Sequence, residues 1–586
     1  MTILNPCNPI KSWLIAAVLS GLTLARAGGA EAPQRVPVQP QAIQKWQDMR
    51  FGMFIHWGPV SLTAQEIGWS RGAQTPIEVY DNLYRQFNPT HFNADEWVSV
   101  AKAAGMKYIV LTTKHHDGFC LWDTKLTDYN IMNSPFHRDV VKELAAACKK
   151  QGIAFGTYYS VCDWHHPDFP LTSPGGSVKR DKYDLDSYNT YLLGQISELI
   201  TNYGPLITIW NDVPQRFEGR GLNTIKLVRR LQPDITINNR TGDGGDYDTP
   251  EQTIGGFNMD RPWESCMTVS AHNSWAWGGA KDGVKPLSAC LEMLIRGAGG
   301  NGNVLLNVGP RPDGMIDPEQ VNRLKEMGDW LSKYGESIYG TRGGPWKPNR
   351  SIASTRKGNV VYLHVLRWNG DTLILPNLPR KITRSTLLTK GTETVYLRSP
   401  KSDLPGSSRL ARSKVNLKQT ADGIVLTVPP QDRQAIDTIV KLELDGSALD
   451  LAPVALTVAK SRLKATASNV YRHQDDYGAE KAFDGDPETR WATDSGTSQA
   501  WLEVDLGKPT TFSRVVIDEW QGGGKRIQSF ELQYLCGNEW KTCHRGTTIG
   551  TLWQKTFEPI TAQRVRLNIL QATEGPTINE FEIRAK

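Results

Sequence analysis

The sequence predicts an α/β protein in which a (β/α) barrel is followed by two β-sandwich domains. Three observations support this prediction. The chain has 586 residues, which is too many for one hydrophobic core. Short apolar runs alternate with helix-like segments over residues 40–342. Beyond residue 342 the pattern changes to short alternating strands with turn signals between them, which is typical of β-sandwiches.

Repeated strand–helix units make up the predicted barrel. Its strands are nearly continuously apolar, as expected of strands buried on both faces, and its helices carry Ala and Leu three to four residues apart. The predicted strands are RFGMFIHW, MKYIVLTTKH, GIAFGTYYS, LITIWND, DITINNR and GNVLLNVGP. No G-x-G-x-x-G follows the first strand, which disfavours a dinucleotide-binding sheet and favours a barrel.

The N-terminus has the features of an export signal. Lys11 precedes the apolar run WLIAAVLSGLTLA, and Ala25-Arg26-Ala27 forms an A-x-A cleavage site. We therefore predict a signal peptide at residues 1–27 and an exported protein, periplasmic or secreted. The apolar run is too short for a transmembrane span. The net charge of +6 is spread without a basic run, which gives no case for nucleic-acid binding.

Two cysteines of the last all-β segment raise the question of a disulfide bond. Cys536 and Cys543 lie seven residues apart and would close a hairpin disulfide in an oxidising compartment. The alternative is two free thiols, and the sequence leaves both possibilities open. The other five cysteines beyond residue 27 fall in segments predicted to be buried, where free thiols are expected.

Polar side chains stand where successive barrel strands are predicted to end. They are His56-Trp57, Lys114-His115-His116-Asp117, Tyr158-Tyr159, Asn211-Asp212 and Asn238-Asn239-Arg240. Any one of them is explained by solvation of a strand end. Five such strand ends in order indicate a pocket, because the active site of a (β/α) barrel lies at the C-terminal ends of its strands.

Two common kinds of site do not fit these residues. Adjacent residues of a strand face opposite sides, so we expect that His115 and His116 do not bind one metal ion together. H-E-x-x-H and the G-x-S-x-G elbow of serine hydrolases are both missing from the sequence. The remaining carboxylates, histidines and aromatic rings are what glycoside hydrolysis requires, with two carboxylates flanking the scissile bond.

Six motifs resemble the α-L-fucosidases of glycoside hydrolase family 29. They are MRFGMFIHWGPVSL, KYIVLTTKHHDGFCLWDTKLTDYNI, DVVKELAAACKKQGIAFGTYYS, GPLITIWND, PWESCMT and GGNGNVLLNVGPRPDG. The resemblance covers roughly residues 40–345. It implies a (β/α) barrel, a retaining mechanism without a catalytic cofactor, and release of terminal α-linked L-fucose from fucosylated oligosaccharides or glycoconjugates.

The resemblance also implies roles for two carboxylates. Asp212, at the end of GPLITIWND, matches the family's nucleophile. The acid/base is less well defined, because its loop varies within the family. We favour Glu251 in YDTPEQTIGG, which follows a Thr-Pro stretch in a loop able to reach over the pocket. The alternative is Glu264 in RPWESC, for which a partly buried structural role is also expected.

Several further residues match positions where the family contacts fucose. They are His56, Glu66, His115, His116, Tyr159 and Arg240. Trp122 is a further candidate, and it shares with Trp69, Trp275 and Trp277 the possibility of flanking the C5 methyl group. For each tryptophan the alternative is a place in the core or at the rim.

The part of the chain beyond the barrel is predicted to hold two β-sandwiches, at residues 346–452 and 458–586. The second resembles F5/8 type C (discoidin) domains, which in carbohydrate enzymes act as galactose-binding-like modules. AFDGDPETRW, together with Glu580, resembles the structural calcium site of that fold, with Asp486 as an oxygen donor. The alternative is an Asp-Gly turn without an ion.

Two other functions compete with an exported α-L-fucosidase. One is a non-catalytic protein that binds fucose or a glycan, which is disfavoured by a carboxylate pair at Asp212 and at Glu251 or Glu264. The other is a retaining glycosidase of related specificity, such as a galactosidase. A C5 methyl group in place of a C6 hydroxyl would distinguish fucose from galactose.

Overall fold

The computed structural model describes residues 37–173, 179–214, 217, 219–368, 372–390, 394–396, 415–420, 423–454, 456, 463–484, 489–520, 524–550 and 553–584. The predicted signal peptide therefore lies outside the described residues and stays a prediction. Within these ranges, no helix has the length and apolarity needed to span a membrane.

The first part of the chain forms the predicted barrel. Its elements are α1 (Pro40–Met49), β1 (Phe51–Ile55), α2 (Ile77–Tyr80), α3 (Ala94–Ala103), β2 (Tyr108–Lys114), α4 (Val140–Gln151), β3 (Ala154–Ser160), α5 (Leu185–Tyr203), β4 (Thr208–Asp212), α6 (Gly221–Leu231), β5 (Thr236–Ile237), β6 (Glu264–Thr268), α7 (Leu287–Gly299), β7 (Asn303–Val308) and α8 (Pro318–Tyr334). The strand predicted at DITINNR is only two residues long, because the chain leaves the ladder after Ile237.

Seven parallel strands form one sheet in the order β5-β4-β3-β2-β1-β7-β6. The register places Tyr158 of β3 beside Trp210 of β4, and Ser160 beside Asp212. Side chains two residues apart on a strand share a face. One side of the sheet therefore carries two adjacent layers of side chains: Tyr158 with Trp210, and Ser160 with Asp212.

The gap between β5 and β6 is bridged by residues 246–252. Parallel bridges join Asn238 to Tyr247, Asp248 to Trp263 and Glu251 to Cys266. This segment acts as an eighth strand, so the parallel sheet closes into a barrel. The sequence pattern did not predict this strand, because residues 246–252 are mostly polar and no helix separates them from β5 or β6 along the chain.

Helix boundaries follow ordinary capping chemistry. The side chains of Asn93, Asp139, Asp184 and Asp317 accept hydrogen bonds from backbone N–H groups in the first turns of α3, α4, α5 and α8. Helix α4 ends at Gln151 and is capped by Gly152, whose φ of 75° is the left-handed conformation that favours glycine. These caps define where each helix returns the chain to the next strand.

The middle part of the chain is antiparallel. Its strands are β8 (Arg342–Gly343), β9 (Ile352–Lys357), β10 (Val360–Val365), β11 (Thr372–Leu375), β12 (Ile382–Leu387), β13 (Thr394–Tyr396), β14 (Asn416–Thr420), β15 (Gly423–Thr427) and β16 (Thr438–Leu444). They form a six-stranded sheet, β13-β12-β16-β10-β9-β8, and a three-stranded sheet, β11-β15-β14. Trp346, Leu363, Ile424 and Leu442 belong to their common apolar core.

The last part of the chain is also antiparallel. Its strands are β17 (Lys464–Ala467), β18 (Trp491–Ala492), β19 (Ala500–Glu519), β20 (Ile527–Cys536), β21 (Glu539–Gly546), β22 (Trp553–Ala572) and β23 (Thr577–Arg584). They pair in the order β18-β23-β19-β22-β20-β21, and β17 pairs with β19. The predicted fold class, a (β/α) barrel followed by two β-sandwiches, is confirmed.

Cys536 and Cys543 do not form a disulfide bond in this structure. The β20–β21 register places Cys536 opposite Glu539, whereas the Cys543 thiol donates to the carbonyl oxygen of Leu532 at 3.4 Å. Both thiols are free. A spacing of seven residues suits a hairpin disulfide only if the two cysteines are opposite each other, and this register separates them.

Candidate active site

Asp212 ends β4 and is the centre of a polar cluster at the C-terminal rim of the barrel. Its Oδ2 accepts from the Tyr158 hydroxyl at 2.8 Å, and its Oδ1 accepts from Arg240 Nη1 at 2.8 Å and from the backbone N–H of Val213 at 2.9 Å. Burial by itself would raise the pKa of Asp212. The charge and hydrogen bond of Arg240, together with the Tyr158 bond, outweigh burial and hold that pKa below its usual range. Asp212 is thus kept ionised.

Arg240 joins Asp212 to a second carboxylate. The same Nη1 atom donates to Glu251 Oε2 at 2.9 Å. Because one nitrogen atom bonds both groups, the two bonded oxygen atoms lie within two hydrogen-bond lengths, or under about 6 Å. The Glu251 side chain is 43% exposed and the Asp212 side chain 13% exposed. One carboxylate therefore lies inside the pocket and the other at its open edge.

The position of Glu251 follows from the eighth barrel segment. The backbone N–H of Cys266 donates to the carbonyl oxygen of Pro250, and that of Gln252 donates to the carbonyl oxygen of Cys266, both at 3.0 Å. On its other side, Arg240 Nε donates to Thr249 Oγ1 at 2.9 Å. Glu251 is therefore carried by paired backbone at the barrel rim.

His116 is held as one neutral tautomer. Its Nδ1 lies 2.6 Å from Ser160 Oγ, and that hydroxyl donates to the carbonyl oxygen of Cys162. Because the hydroxyl proton is used, the Nδ1 proton of His116 must point at Ser160. Burial lowers the pKa of His116 to about 4. Nε2, which lies 3.8 Å from Asp212 Oδ2, is left as a hydrogen-bond acceptor.

His56 is oriented in the same way. Its Nδ1 lies 2.6 Å from Asn307 Oδ1, and Asn307 Nδ2 donates to the carbonyl oxygen of Trp275 at 2.7 Å. The amide orientation of Asn307 therefore requires a proton on His56 Nδ1. Burial lowers the pKa of His56 to about 3, so its Nε2 is also an acceptor at neutral pH.

His115 lies between these two histidines. Its ring stacks on Tyr158, with centroids 5.4 Å apart and planes 7° apart, and lies 4.0 Å from the ring of His116. The expectation that His115 and His116 face opposite sides is wrong, because β2 ends at Lys114 and strand alternation no longer applies. Burial lowers the pKa of His115 well below its usual value. Among the described residues, none bonds its Nδ1.

Glu66 connects two loops at the rim. Its carboxylate accepts from the backbone N–H groups of Trp275 at 2.9 Å, Ala276 at 3.0 Å and Ile67 at 3.2 Å. Burial raises the pKa of Glu66 against these bonds. Glu66 thus fixes the segment that carries Trp275, whose ring centroid lies 4.9 Å from that of His56.

Comparison with known proteins identifies the family. The family model described as Alpha-L-fucosidase matches residues 26–336, slightly more than half of the chain. The chain belongs to the α-L-fucosidase family. A second family model, described as F5/8 type C domain, matches residues 464–583 of this fucosidase family member.

Relatives and solved structures agree with this assignment. Tissue alpha-L-fucosidase of Homo sapiens is 30% identical over 423 residues, covering 65% of this chain and 88% of the human one. Alpha-L-fucosidase isoenzyme 1 from Paenibacillus thiaminolyticus is 32% identical with a TM-score of 0.61, covering 69% of this chain and 99% of that one. A GH29 α-L-fucosidase from Bacteroides thetaiotaomicron, solved as a trapped covalent intermediate, is 26% identical with a TM-score of 0.61, covering 71% and 98%.

Two predicted sugar contacts of this fucosidase lie outside the cluster. The Tyr159 hydroxyl donates to Gln195 Oε1 of α5 at 2.8 Å, and Trp122 Nε1 donates to Glu198 Oε2 of the same helix at 3.0 Å. Both rings are fully buried. The structure therefore places Tyr159 and Trp122 in the layer between sheet and helices, and brings Tyr158 to Asp212 instead.

Glu264, the alternative acid/base, is enclosed in the barrel. It is 0% exposed, its Oε1 accepts from Trp210 Nε1 at 3.1 Å, and its Oε2 accepts from the Tyr108 hydroxyl. An acid/base must reach the leaving group and water. Burial therefore disfavours Glu264, whereas the exposed side chain of Glu251 can be reached by both; the assignment of the acid/base stays a prediction.

The other candidate tryptophans lie at or near the rim. Trp69 is 43% exposed and meets His116 edge to face, with centroids 5.3 Å apart. Trp275 lies beside His56, and Trp277 Nε1 points to Asp317 Oδ2 at 3.4 Å. Trp69 and Trp275 therefore flank the cluster from two sides. Their contact with a C5 methyl group stays a prediction.

The sequence argument missed Ser160 and Asn307 altogether, and it named Tyr158 only as a residue at a strand end. Tyr158 bonds the central carboxylate, Ser160 orients His116, and Asn307 orients His56. Alternation places Tyr158 and Ser160 on one face of β3, but only the register against β4 shows that this face meets Asp212. Asn307 lies one residue before the end of β7, and its contact with His56 is formed only in the folded barrel.

The predicted calcium site lies in the C-terminal domain. Asp486 falls outside the described residues. Glu580 lies in β23 and is 9% exposed, opposite Asp518 of β19. In the part of the chain that the structure describes, no three or more His, Cys, Asp or Glu side chains form a group able to hold a metal ion. The calcium site stays a prediction.

Proposed function

We propose that this family member is an exported α-L-fucosidase that hydrolyses terminal α-linked L-fucose from glycans with retention of configuration. The observation that carries the proposal is the pair of carboxylates, Asp212 and Glu251, joined by Arg240 Nη1. Retaining glycosidases place their two carboxyl groups about 5–5.5 Å apart. A pair bridged by one nitrogen atom is compatible with that spacing and too close for a water molecule between them.

In the first step Asp212 attacks the anomeric carbon of fucose. A bond forms between a carboxylate oxygen and C1, the C1–O bond to the leaving group breaks, and the carboxyl proton of Glu251 moves to the departing oxygen. Tyr158 and Arg240 keep Asp212 ionised and aimed at the sugar. The trapped intermediate of the Bacteroides thetaiotaomicron enzyme supports a covalent fucosyl-enzyme here.

In the second step water releases the sugar. Glu251, now ionised, takes a proton from a water molecule, the water oxygen bonds C1, and the bond from C1 to Asp212 breaks. The exposed position of Glu251 supports this role, since water must reach it. Two displacements at C1 retain its configuration, and Glu251 ends the cycle protonated.

Sugar hydroxyls are matched by acceptors of fixed orientation. The free Nε2 atoms of His56 and His116 accept from hydroxyl groups, and a sugar that lacks such a hydroxyl leaves them unpaired. Burial keeps both imidazoles neutral at physiological pH. Neutral acceptors suit an uncharged sugar, because they do not repel the positive charge that develops at C1.

The remaining parts of the proposal concern location and the C-terminal domain. The leader-like residues 1–27 support export to the periplasm or beyond the cell. The F5/8 type C match at residues 464–583 supports a carbohydrate-binding module that holds the enzyme on a glycan. A structural calcium ion bound through Asp486 and Glu580 is part of the same proposal.

The test is hydrolysis of 4-nitrophenyl α-L-fucoside by wild type, Asp212→Ala and Glu251→Ala, each with and without azide. We expect Asp212→Ala to lose several orders of magnitude in turnover. Glu251→Ala should regain turnover with azide and yield α-fucosyl azide, because azide needs no general base and displaces Asp212 from the β-linked fucosyl-enzyme with inversion at C1. An Asp212→Ala variant with near-normal activity would contradict the nucleophile assignment. A folded wild type that binds fucosides but releases none would favour the non-catalytic alternative.

A further inference from the structure

A buried carboxylate lies beneath the proposed site and has no part in the chemistry described above. Glu264 is the first residue of β6 and is fully enclosed by the aromatic side chains inside the barrel. No ion pair among the described residues includes it. Both of its oxygens accept instead, Oε1 from Trp210 Nε1 at 3.1 Å and Oε2 from the Tyr108 hydroxyl.

Trp210 connects this carboxylate to the nucleophile. It lies two residues before Asp212 on β4 and therefore on the same face of the strand. Its ring stacks on Tyr158, with centroids 5.7 Å apart and planes 19° apart. The guanidinium carbon of Arg240 lies 4.9 Å from the centroid of the same ring. Tyr158 and Arg240 are the two side chains that bond Asp212, each at 2.8 Å.

The orientation of a buried indole ring about χ2 is fixed most firmly when its N–H group has a hydrogen-bond acceptor in one direction. Torsions of aromatic side chains about χ2 are broad, so packing alone holds the ring less firmly than a directional bond. The bond from Nε1 to Glu264 supplies that direction, and a buried N–H without an acceptor is costly. Rotation of this ring would displace both groups that rest on it.

We propose that Glu264 is a positioning residue that acts through Trp210: it fixes the indole ring, which holds Tyr158 and Arg240 against Asp212. This inference rests on the proposed fucosidase function and deepens it. Glu264 does not touch the sugar. Its removal should therefore change the rate and the ionisation of Asp212, with little effect on recognition of the leaving group.

Two substitutions at the same position separate the possible roles. Glu264→Leu keeps most of the volume and removes the acceptor, whereas Glu264→Gln keeps an oxygen that accepts from Trp210. We expect the Leu variant to lose about tenfold to 100-fold in kcat, since small displacements of reacting groups have effects of this size. The Gln variant should retain most of the wild-type kcat. In the Leu variant the acid limb of kcat/KM should move to higher pH, because Asp212 is less firmly bonded.

A second route tests the connection through Trp210 and does not depend on folding of the Leu variant. Trp210→Phe removes the Nε1–H group and leaves Glu264 in place. We expect the same loss and the same shift of the acid limb, and no further loss when Trp210→Phe and Glu264→Leu are combined. Tyr247→Phe is the matched control. It removes a buried hydroxyl bonded to Thr208 in the same aromatic cluster, away from Asp212, and should keep the wild-type kcat.

Each other outcome overturns the inference. A Leu variant with wild-type kcat and pH profile would show that Glu264 positions nothing. Losses that multiply in the double variant would show that it acts independently of Trp210. A Gln variant as inactive as the Leu variant and rescued by azide would make Glu264 the acid/base. A wild type that releases no fucose from 4-nitrophenyl α-L-fucoside or fucosylated oligosaccharides would overturn the proposed function itself.

Discussion

Tyr158 and Tyr159 provide a direct test of how the barrel presents its side chains. The two tyrosines are adjacent in β3, but the hydroxyl of Tyr158 bonds Asp212 and that of Tyr159 bonds Gln195 of α5. Tyr158→Phe and Tyr159→Phe each remove one oxygen atom and leave the ring in place. The resemblance to the family implied that Tyr159 contacts the sugar, whereas the structure places the Tyr158 hydroxyl, and not that of Tyr159, against Asp212.

The expected size of the effect follows from the partner of each hydroxyl. A hydrogen bond to a charged group contributes about 1.5–3 kcal/mol, so Tyr158→Phe should lower kcat/KM by about tenfold to 100-fold. The lost bond is one of the contacts that hold the pKa of Asp212 down, so the acid limb of the profile should move to higher pH. Tyr159→Phe loses the bond to Gln195 and the contact of its hydroxyl with the Lys114 ammonium, with a cost of about 1–3 kcal/mol in unfolding free energy and no change in rate.

The assay is the pH dependence of kcat/KM on 4-nitrophenyl α-L-fucoside, with thermal unfolding measured in parallel. The Phe variant keeps the ring that stacks on His115 and Trp210, so we expect it to fold normally. Lost activity would then reflect the missing hydroxyl group. The reasoning is refuted if Tyr159→Phe loses activity while Tyr158→Phe keeps wild-type kcat/KM.

Three further predictions follow from the same contacts. Arg240→Gln removes the cation that bonds both Asp212 and Glu251, so kcat/KM should fall by at least about 100-fold. The acid limb of the pH profile of kcat/KM should also move to higher pH, because the pKa of Asp212 rises. An acid limb at the wild-type pH would contradict this account. Asn307→Leu leaves His56 Nδ1 without its acceptor, so KM for the fucoside should rise by roughly tenfold with a smaller effect on kcat, and steady-state kinetics at neutral pH distinguish the two. Burial raises the pKa of Glu264 from 4.5 to about 7, so the folded protein prefers the protonated acid. As the pH rises from about 4.5 to 7, the unfolded chain loses this proton before the folded protein does, and the wild type should lose about 3 kcal/mol of unfolding free energy relative to Glu264→Gln. Urea unfolding of both proteins at pH 5 and pH 8 measures this loss.

Local patterns determined a large part of this protein. Apolar strand runs and amphipathic helices recur at intervals that suit a barrel, and these depend only on neighbouring residues. Asp212 was recognised because a buried strand ends there on a carboxylate, and ends of parallel strands meet at one rim. The family resemblance added Glu251 as the favoured acid/base.

Long-range contacts decided the rest. Residues 246–252 become the eighth strand only because β5 and β6 offer backbone partners on both sides, a fact that no local pattern contains. The exposure of Glu251 and the enclosure of Glu264 follow from this closure. Two glutamates only 13 residues apart in the chain thereby acquire different environments.

The direction in which each side chain points is also decided by the tertiary structure. Tyr158 and Tyr159 have the same chemistry, and only the register of β3 against β4 determines which of them meets Asp212. The protonated nitrogens of His56 and His116 are likewise set by Asn307 and Ser160, which belong to other strands. The sequence alone thus determined which residue types and elements form the site. Tertiary structure decided which atoms meet, because hydrogen bonds and burial depend on distances between segments far apart in the chain.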